Sequence, residues 1–408
     1  MIVALIPAHN EEENISSAID SLRDQTRQPD RIIVVADNCT DRTASIAVSM
    51  GVEVAATINN VDKKAGALNF LFKEILNSEN LYLVMDADTS ISKKFLEVAE
   101  SRLDNNKIGA IGGLFYGEPG HGLLGVLQRN EYARYSRTMA IDESKTMVLS
   151  GTASLFRGDA LREVSELRGT ELPGTNGSVY DTHALTEDNE LTIALKTLGW
   201  KMVSPQECNN VTEVMTTWPD LWKQRKRWQR GAIENLKMYG MTKITKKYWL
   251  QQFGIAYGVL SFALLSTLAV AVLLSVSDYK IYPFWIGITG VFIADRVWTV
   301  WKMGWKSRLV ASVLIVEMVY DLFIQAVFVR SVIDSALNKE EHWKAPKRKQ
   351  PVTFMTSITI LLGGVLLLNL GQYPQILDTF AFQALAVFVM FNTMFFALWG
   401  ATKLTHRH

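Results

Sequence analysis

The chain has only two cysteines in 408 residues, Cys39 and Cys208. They lie far apart and outside any Cys-x-x-Cys or Cys/His cluster, which excludes a disulfide framework and a structural zinc site and suits a reducing compartment. Excess charge is lacking too. Lys and Arg number 42 against 41 Asp and Glu, so no overall basic field points to a nucleic-acid partner, and any electrostatic argument has to be local. The opening residues, Met1 to Pro7, carry no basic stretch and too short an apolar run for a secretory signal, so the expectation is an N-terminal domain that stays in the cytosol. There is no evident internal repeat, which argues against a transporter. Long apolar runs are missing before residue 250 and frequent after it. The reading is therefore two domains, 1–250 soluble and 251–408 in a membrane.

Residues 2–6 form an apolar run ending at Pro7, as a buried strand does, and Ile15, Ala18, Ile19 and Leu22 then recur at helical spacing. Asn10, with Glu13 three residues on, reads as the N-cap pair of that helix. Strand-like runs return at 31–36, 52–56 and 81–85, with helix-compatible stretches at 43–50 and 67–77. Such alternation predicts a largely parallel, doubly wound α/β sheet, whose ligands sit outside the carboxyl ends of the strands. His9-Asn10-Glu11, Asp37-Asn38 and Asp86-Ala87-Asp88 all fall at such ends.

Asp86 and Asp88, one residue apart at a pocket rim, suit a hard divalent cation that also engages diphosphate oxygens; oxygen-rich ligation implies Mg2+ or Mn2+. An Asp-x-Asp turn alone is commonplace, and its neighbours give it weight. Lys64, near Gly66 at a predicted helix start, offers charge and close backbone approach to phosphate; the plain alternative is a solvated lysine. Thr186-Glu187-Asp188 precedes the amphipathic run 191–195, so its acids mark a helix start. Either Glu187 and Asp188 are ordinary helix-start acids, or one of them is a general base that takes a proton from an acceptor hydroxyl. In the helical stretch beginning near Pro219, Gln224, Arg227 and Trp228 share one face. They offer an amide, a fixed cation for a departing diphosphate and a flat surface for a sugar ring. Trp218, Trp222, Lys223, Lys226 and Arg230 suit a membrane surface, and both readings can hold for different faces of one helix.

In their order along the chain these motifs resemble family 2 glycosyltransferases of the multi-spanning kind that includes cellulose, chitin, hyaluronan and poly-N-acetylglucosamine synthases. Pro7-Ala8-His9-Asn10-Glu11-Glu12 is similar to the family's opening nucleotide loop and Asp37-Asn38-Cys39-Thr40-Asp41 to the second. The Lys64 loop, Asp-x-Asp, Thr-Glu-Asp and Gln-x-x-Arg-Trp follow. The resemblance implies an α/β GT-A (nucleotide-diphospho-sugar transferase) domain followed by an all-α transmembrane domain. It implies a donor site of Pro7, His9, Glu11, Asp37, Lys64, Asp86, Gln224 and Arg227, with Asp37 at the uracil and Lys64 and Arg227 at the diphosphate. Asp88 would hold Mg2+ or Mn2+ with Asp86 beside it near the ribose, and Asp188, next to Glu187, would be the catalytic base. Ser150, Gly151 and Thr152 would line the acceptor site, and Trp228 would stack on the acceptor's terminal sugar. The family inverts at the anomeric carbon, which implies a β-linked product from an α-linked UDP-sugar, GlcNAc or glucose. Two departures stand out. Many of these synthases carry one or two transmembrane helices before the catalytic domain, whereas here the first strand begins at residue 2. Ser150 stands where cellulose synthases have a cysteine.

Four apolar blocks, 253–276, 282–301, 353–370 and 376–398, have the length to cross a bilayer. A fifth, 309–333, carries Glu317, Asp321 and Gln325 on one face, a stripe that suits an interfacial or re-entrant helix with its acids toward water, or one that lines a glycan path. Basic residues at 302–308 and 339–349 flank that block, so four spans with both flanking loops in the cytosol are expected. The expected location is the plasma or inner membrane with the catalytic domain cytosolic. Three functions fit: a synthase that extends a glycan and passes it into or across the membrane; addition of one sugar to a lipid-linked or protein acceptor, with the helices as anchor; and a non-catalytic sugar- or nucleotide-binding scaffold.

Overall fold

The structure is a computed structural model that describes residues 1–141, 146–275 and 283–337. The chain divides into two compact units, Met1–Tyr248 and Trp249–His408.

In the first unit the elements run β1 (Ile2–Ala8), α1 (Ile15–Arg23), β2 (Arg31–Asp37), α2 (Thr43–Ser49), β3 (Glu53–Thr57), α3 (Lys63–Ile75), β4 (Leu81–Met85), β5 (Thr89–Ile91), α4 (Phe95–Leu103), β6 (Ile108–Gly112), β7 (Leu114–Gly117), α5 (Gly122–Ile141), β8 (Ala153–Arg157), α6 (Gly158–Leu167), α7 (Glu187–Thr197), β9 (Lys201–Val203), β10 (Asn209–Thr212) and α8 (Trp218–Tyr239). A seven-stranded sheet has the order β3-β2-β1-β4-β8-β6-β9, and a small second sheet, unexpected from the sequence, has the order β5-β10-β7.

Every residue of β1 is buried, because both faces of the sheet are covered. Val3 and Leu5 belong to a core with Leu68, Leu71 and Phe72 of α3 and Leu161 and Val164 of α6. Ile2, Ala4 and Ile6 point the other way, onto Ile15, Ile19 and Leu22 of α1 and Phe95, Leu96 and Ala99 of α4. The alternation is the period-two consequence of a strand buried on both sides. Among the described residues β1, β2, β3 and β4 pair in parallel, as expected. β8 departs from that pattern: it lies antiparallel between β4 and β6. The expected N-cap pair is also corrected. α1 begins at Ile15 with Asn14 at its cap, while Asn10 has φ 58° and its side-chain oxygen accepts the Thr40 amide at 2.8 Å.

Behind the sheet, Arg168 and Glu190 form a bidentate ion pair (2.7 and 2.8 Å), with both side chains wholly buried. Arg168 also donates to Val179 O and Pro173 O.

The described part of the second unit is helical: most of α9 (Thr245–Ser275), which begins in the first unit, then α10 (Pro283–Thr299), a single 3-10 turn (Trp301–Met303), α11 (Trp305–Ser312) and α12 (Leu314–Ala336). Among the described residues no single helix is long and apolar enough to cross a membrane; α11 and α12, bent by 83°, pass that test as a pair. The expected spans 353–370 and 376–398 and the basic stretch 339–349 lie outside the described residues. Within the polar stripe of 309–333, Glu317 and Asp321 share one cation from α10. Glu317 is 1% exposed and accepts from Arg296 of α10 at 2.7 Å, and Arg296 also donates to Asp321.

A buried charge that loses its partner is penalised heavily, so Arg168→Met is expected to cost about 3–5 kcal/mol. In the full chain in detergent this lowers the thermal midpoint by on the order of 10 °C. Arg31→Ala, which removes an exposed pair with Glu53, should cost less than about 1 kcal/mol. Equal shifts for the two variants would contradict the assignment.

Candidate active site

β1 and β2 end level, Ala8 opposite Ala36, so the residues just past them meet. His9 Nδ1 donates to Asp37 O at 2.6 Å. Asp37, 6% exposed, sits opposite Thr57 of β3, and its Oδ1 accepts from Thr57 Oγ1 (2.5 Å) and Asn60 Nδ2 (2.8 Å). Gly66 is required here for close approach to Asn60, on whose Oδ1 an added Cβ would clash. Pro7 is buried in β1. Glu11 receives Thr43 Oγ1 as the partner of its amide (2.8 Å) and accepts from Asn14 Nδ2 (3.0 Å). These contacts clasp the first two strand ends into one rim.

The antiparallel β8 supplies the rest. Because Met85 stands opposite Ala153, the segment Ser150-Gly151-Thr152 enters beside the carboxyl end of β4, and the Asp86 amide donates to Thr152 O at 2.9 Å. Lys64, on the first turn of α3, places Nζ 2.5 Å from Asp86 Oδ1, 3.1 Å from Gly151 O and 3.7 Å from Glu187 Oε1. Burial alone would lower this amine's pKa, but Asp86 and Glu187 outweigh it and raise it, so Lys64 stays charged.

Thr186 is the N-cap of α7 and Glu187 and Asp188 are its first residues, as expected. Asp188 Oδ2 accepts the Gly151 amide (3.1 Å) and Oδ1 its neighbour Asn189's amide (2.7 Å). Burial and then the Glu187 charge push its pKa up to about 6, while Lys64 and Arg227 pull the other way. A carboxylate whose proton affinity is raised in this way suits a general base. Lys64, Ser150, Gly151, Tyr180, Glu187 and Asp188 line one small cavity.

Asp88 Oδ1 accepts from Thr89 Oγ1 (3.1 Å) and Thr212 Oγ1 (3.2 Å). Burial, followed by the charge of Asp86, raises it to about 7. Two mutually repelling carboxylates are a donor set that a divalent cation would relieve. Among the described residues no group of three His, Cys, Asp or Glu could hold a metal. That donor set still fits Mg2+ or Mn2+, which are commonly held by one or two carboxylates and completed by water and phosphate oxygens.

On α8, Arg227 Nη1 donates to Leu185 O at 3.4 Å, which brings this helix to the start of α7. Gln224 Oε1 accepts from Arg225 Nη1 at 2.6 Å. Arg225, not anticipated from the sequence, is buried, pairs with Glu131 at 3.0 Å, and lies 4.3 Å from the Trp228 ring centroid and 5.2 Å from that of Tyr132. It covers one face of the indole. Arg230 corrects the membrane-surface expectation: it is buried and paired with Glu234, while Trp218 and Lys223 are exposed. Tyr132 of α5 and Tyr180 were missed because an aromatic in a helix or loop carries no local signal of what it faces.

Residues 3–165 match the family model described as glycosyl transferase family 2. Over 251 residues the chain is 26% identical to a poly-beta-1,6-N-acetyl-D-glucosamine synthase of Staphylococcus epidermidis, a match covering 60% of this chain and 57% of that protein. Against the enzyme of the same name from Staphylococcus aureus (strain COL) the identity is 25% over 255 residues, covering 60% and 58%. The chain therefore matches less than two thirds of the length of either. Among solved structures, a mannosyltransferase from Pyrobaculum calidifontis in complex with GDP-Man and Mn2+ superposes with a TM-score of 0.52 at 15% identity, covering 83% of this chain and 88% of that one. The fold is that of GT-A glycosyltransferases.

Asp88→Asn is expected to weaken Mn2+ binding tenfold or more, roughly the loss of one charged ligand, with free Mn2+ followed by electron paramagnetic resonance. Glu187→Gln should leave it within about twofold, since Glu187 faces Lys64 instead. Equal weakening by both would move the cation site.

Proposed function

We propose, from the match of residues 3–165 to the family 2 glycosyl transferase model, that the protein is a metal-dependent inverting glycosyltransferase of a plasma or inner membrane. It transfers GlcNAc or glucose from a UDP-sugar to a growing glycan at the cytosolic face. The observation that carries this reading is the meeting of Asp86, Glu187 and Gly151 O at the Lys64 ammonium, with Asp188 held on the Gly151 amide. The names of the two staphylococcal relatives favour N-acetylglucosamine as the sugar. The apolar helices of the second unit support attachment to a bilayer.

In this mechanism Asp37, His9, Pro7 and Glu11 receive the nucleoside end of the donor. Asp88, with Asp86, would hold Mg2+ or Mn2+, which when bound would supply positive charge against the departing diphosphate. Arg227, with Gln224 beside it on α8, and Lys64 add fixed cationic charge for the same leaving group. Asp188 accepts the proton of the acceptor hydroxyl as that oxygen forms its bond to the anomeric carbon. The bond from that carbon to the diphosphate oxygen breaks, and its electron pair leaves with UDP. The Gly151 amide, by holding one carboxylate oxygen of Asp188, sets the direction from which the proton is taken. Ser150, Gly151 and Thr152 line the acceptor's path, and the Trp228 face not covered by Arg225 receives its terminal sugar.

Purified full-length protein with Mn2+ should release UDP from UDP-GlcNAc or UDP-glucose, with a ladder of labelled products on sizing. One added sugar and no ladder would mean single addition, and no release from any UDP-sugar, even with membrane extract as acceptor source, would overturn the reading. Asp188→Asn should reduce turnover by about 10²–10⁴-fold while UDP binding persists. Because a protonated Asp188 cannot act as base, turnover should fall as pH drops below about 6. Glu187→Gln removes a charge that raises Asp188 and should move that acid limb to lower pH, measured from kcat/KM against pH.

A further inference from the structure

Arg227, Gly231, Asn235 and Tyr239 recur every four residues along α8 and so form one row on its surface. All four meet α7 or the two residues before it. Arg227 donates to Leu185 O at 3.4 Å. A Cβ at Gly231 would lie 2.4 Å from Thr186 Oγ1, so the α8 backbone rests directly on that threonine. Asn235, 1% exposed, donates through Nδ2 to Thr186 O and Thr186 Oγ1, each at 3.2 Å. The Tyr239 hydroxyl donates to Glu190 Oε1 at 2.5 Å.

Thr186 O is the carbonyl that opens α7, since it also accepts the Glu190 amide at 3.1 Å. The row therefore grips the turn that carries Glu187 and Asp188, at its cap through Asn235 and at its fourth residue through Tyr239. Glu190 is held from the far side by the buried Arg168, which also binds Val179 O, one residue before the cavity-lining Tyr180. Burial alone would be met more cheaply by an apolar stripe, because each buried polar group costs free energy unless paired. What polar pairs add is a single register between the two helices. Reacting groups must be placed within about 0.5 Å, and an error near 1 Å can cost about 10²-fold in rate.

We propose that Gly231, Asn235 and Tyr239 are positioning residues: they form a strut on α8 that fixes the first turn of α7, and with it Glu187 and Asp188, relative to Arg227. Its consequence for rate rests on the glycosyl-transfer reading; its consequence for the α7 turn does not.

The test uses full-length Tyr239→Phe and Asn235→Ala, singly and together, in detergent. Amide hydrogen exchange at residues 187–191 should rise about tenfold or more in the double variant, with β1 and β4 unchanged. In steady-state UDP release kcat should fall about tenfold or more while the donor KM stays within about twofold. Asn235→Asp, which keeps an acceptor but loses the donor to Thr186, should fail to restore kcat, whereas Asn235→Gln should restore part of it. Exchange rising evenly through the first unit, or kcat unchanged in a folded double variant, would overturn the strut. If the unsubstituted protein releases no UDP from any donor, the exchange arm decides alone. A local rise at 187–191 then supports the strut and the failure belongs to the transfer reading; no rise overturns the strut.

Discussion

One ammonium group holds the site of this protein together. Lys64 Nζ touches Asp86 from the end of β4, Gly151 from the entry to β8 and Glu187 from the start of α7, three segments that folding must bring from far apart. Each is drawn there for its own reason: a strand that ends, an antiparallel strand that begins, and a helix whose N-terminus favours acids. The result concentrates negative charge. Two like charges about 4 Å apart repel by about 4 kcal/mol at an effective dielectric near 20, and a folded domain holds only about 5–15 kcal/mol in reserve. A fixed, fully charged lysine lowers that cost, and the same charge keeps Asp188 from climbing further. The arrangement that makes the fold tolerable therefore also tunes the group expected to take the proton.

The polar ends of β1, β2 and β4 were legible in the sequence because apolar runs stop there, and the helix starts at Lys63 and Glu187 because acids, bases and glycine cluster before an amphipathic pattern. The antiparallel run of β8 was not, since hydrophobic alternation carries no direction. Yet that reversal is what sets Gly151 beside Asp86 and lets its amide meet Asp188. Helical spacing grouped Gln224, Arg227 and Trp228 correctly on one side of α8. It could not show that Arg225, one residue off that face, would be buried against Tyr132 and Trp228, because its partner Glu131 lies on α5, nearly a hundred residues away. Arg230 misled for the same reason: an arginine among tryptophans and lysines looks interfacial until Glu234, one turn on, is seen to take its charge inside.

α8 also shows how one helix serves two demands. Its exposed side keeps Trp218 and Lys223 in contact with the surroundings, while the row from Arg227 to Tyr239 is turned to α7. Leu221, Ile233 and Leu236 are buried as well, yet they set only proximity, because dispersion contacts slide at little cost. Hydrogen bonds to the cap of α7 do not slide, so direction comes from the polar row and cohesion from the apolar one.

The second unit repeats the lesson. Glu317 and Asp321 read from sequence as acids facing water or lining a glycan path, because a carboxylate costs several kcal/mol in hydrocarbon. The structure meets that cost internally. Arg296 of α10 pairs with both, and Glu317 is nearly without exposure. A stripe of acids on an apolar helix is therefore as consistent with a cation on a neighbouring helix as with an aqueous face, and Arg296 sat inside a block read only as apolar. The shared guanidinium ties α10 to α12 at two points, since parting them would break both ion pairs. The charges that make 309–333 look unfit for a bilayer are, on this geometry, what fastens α12 to α10.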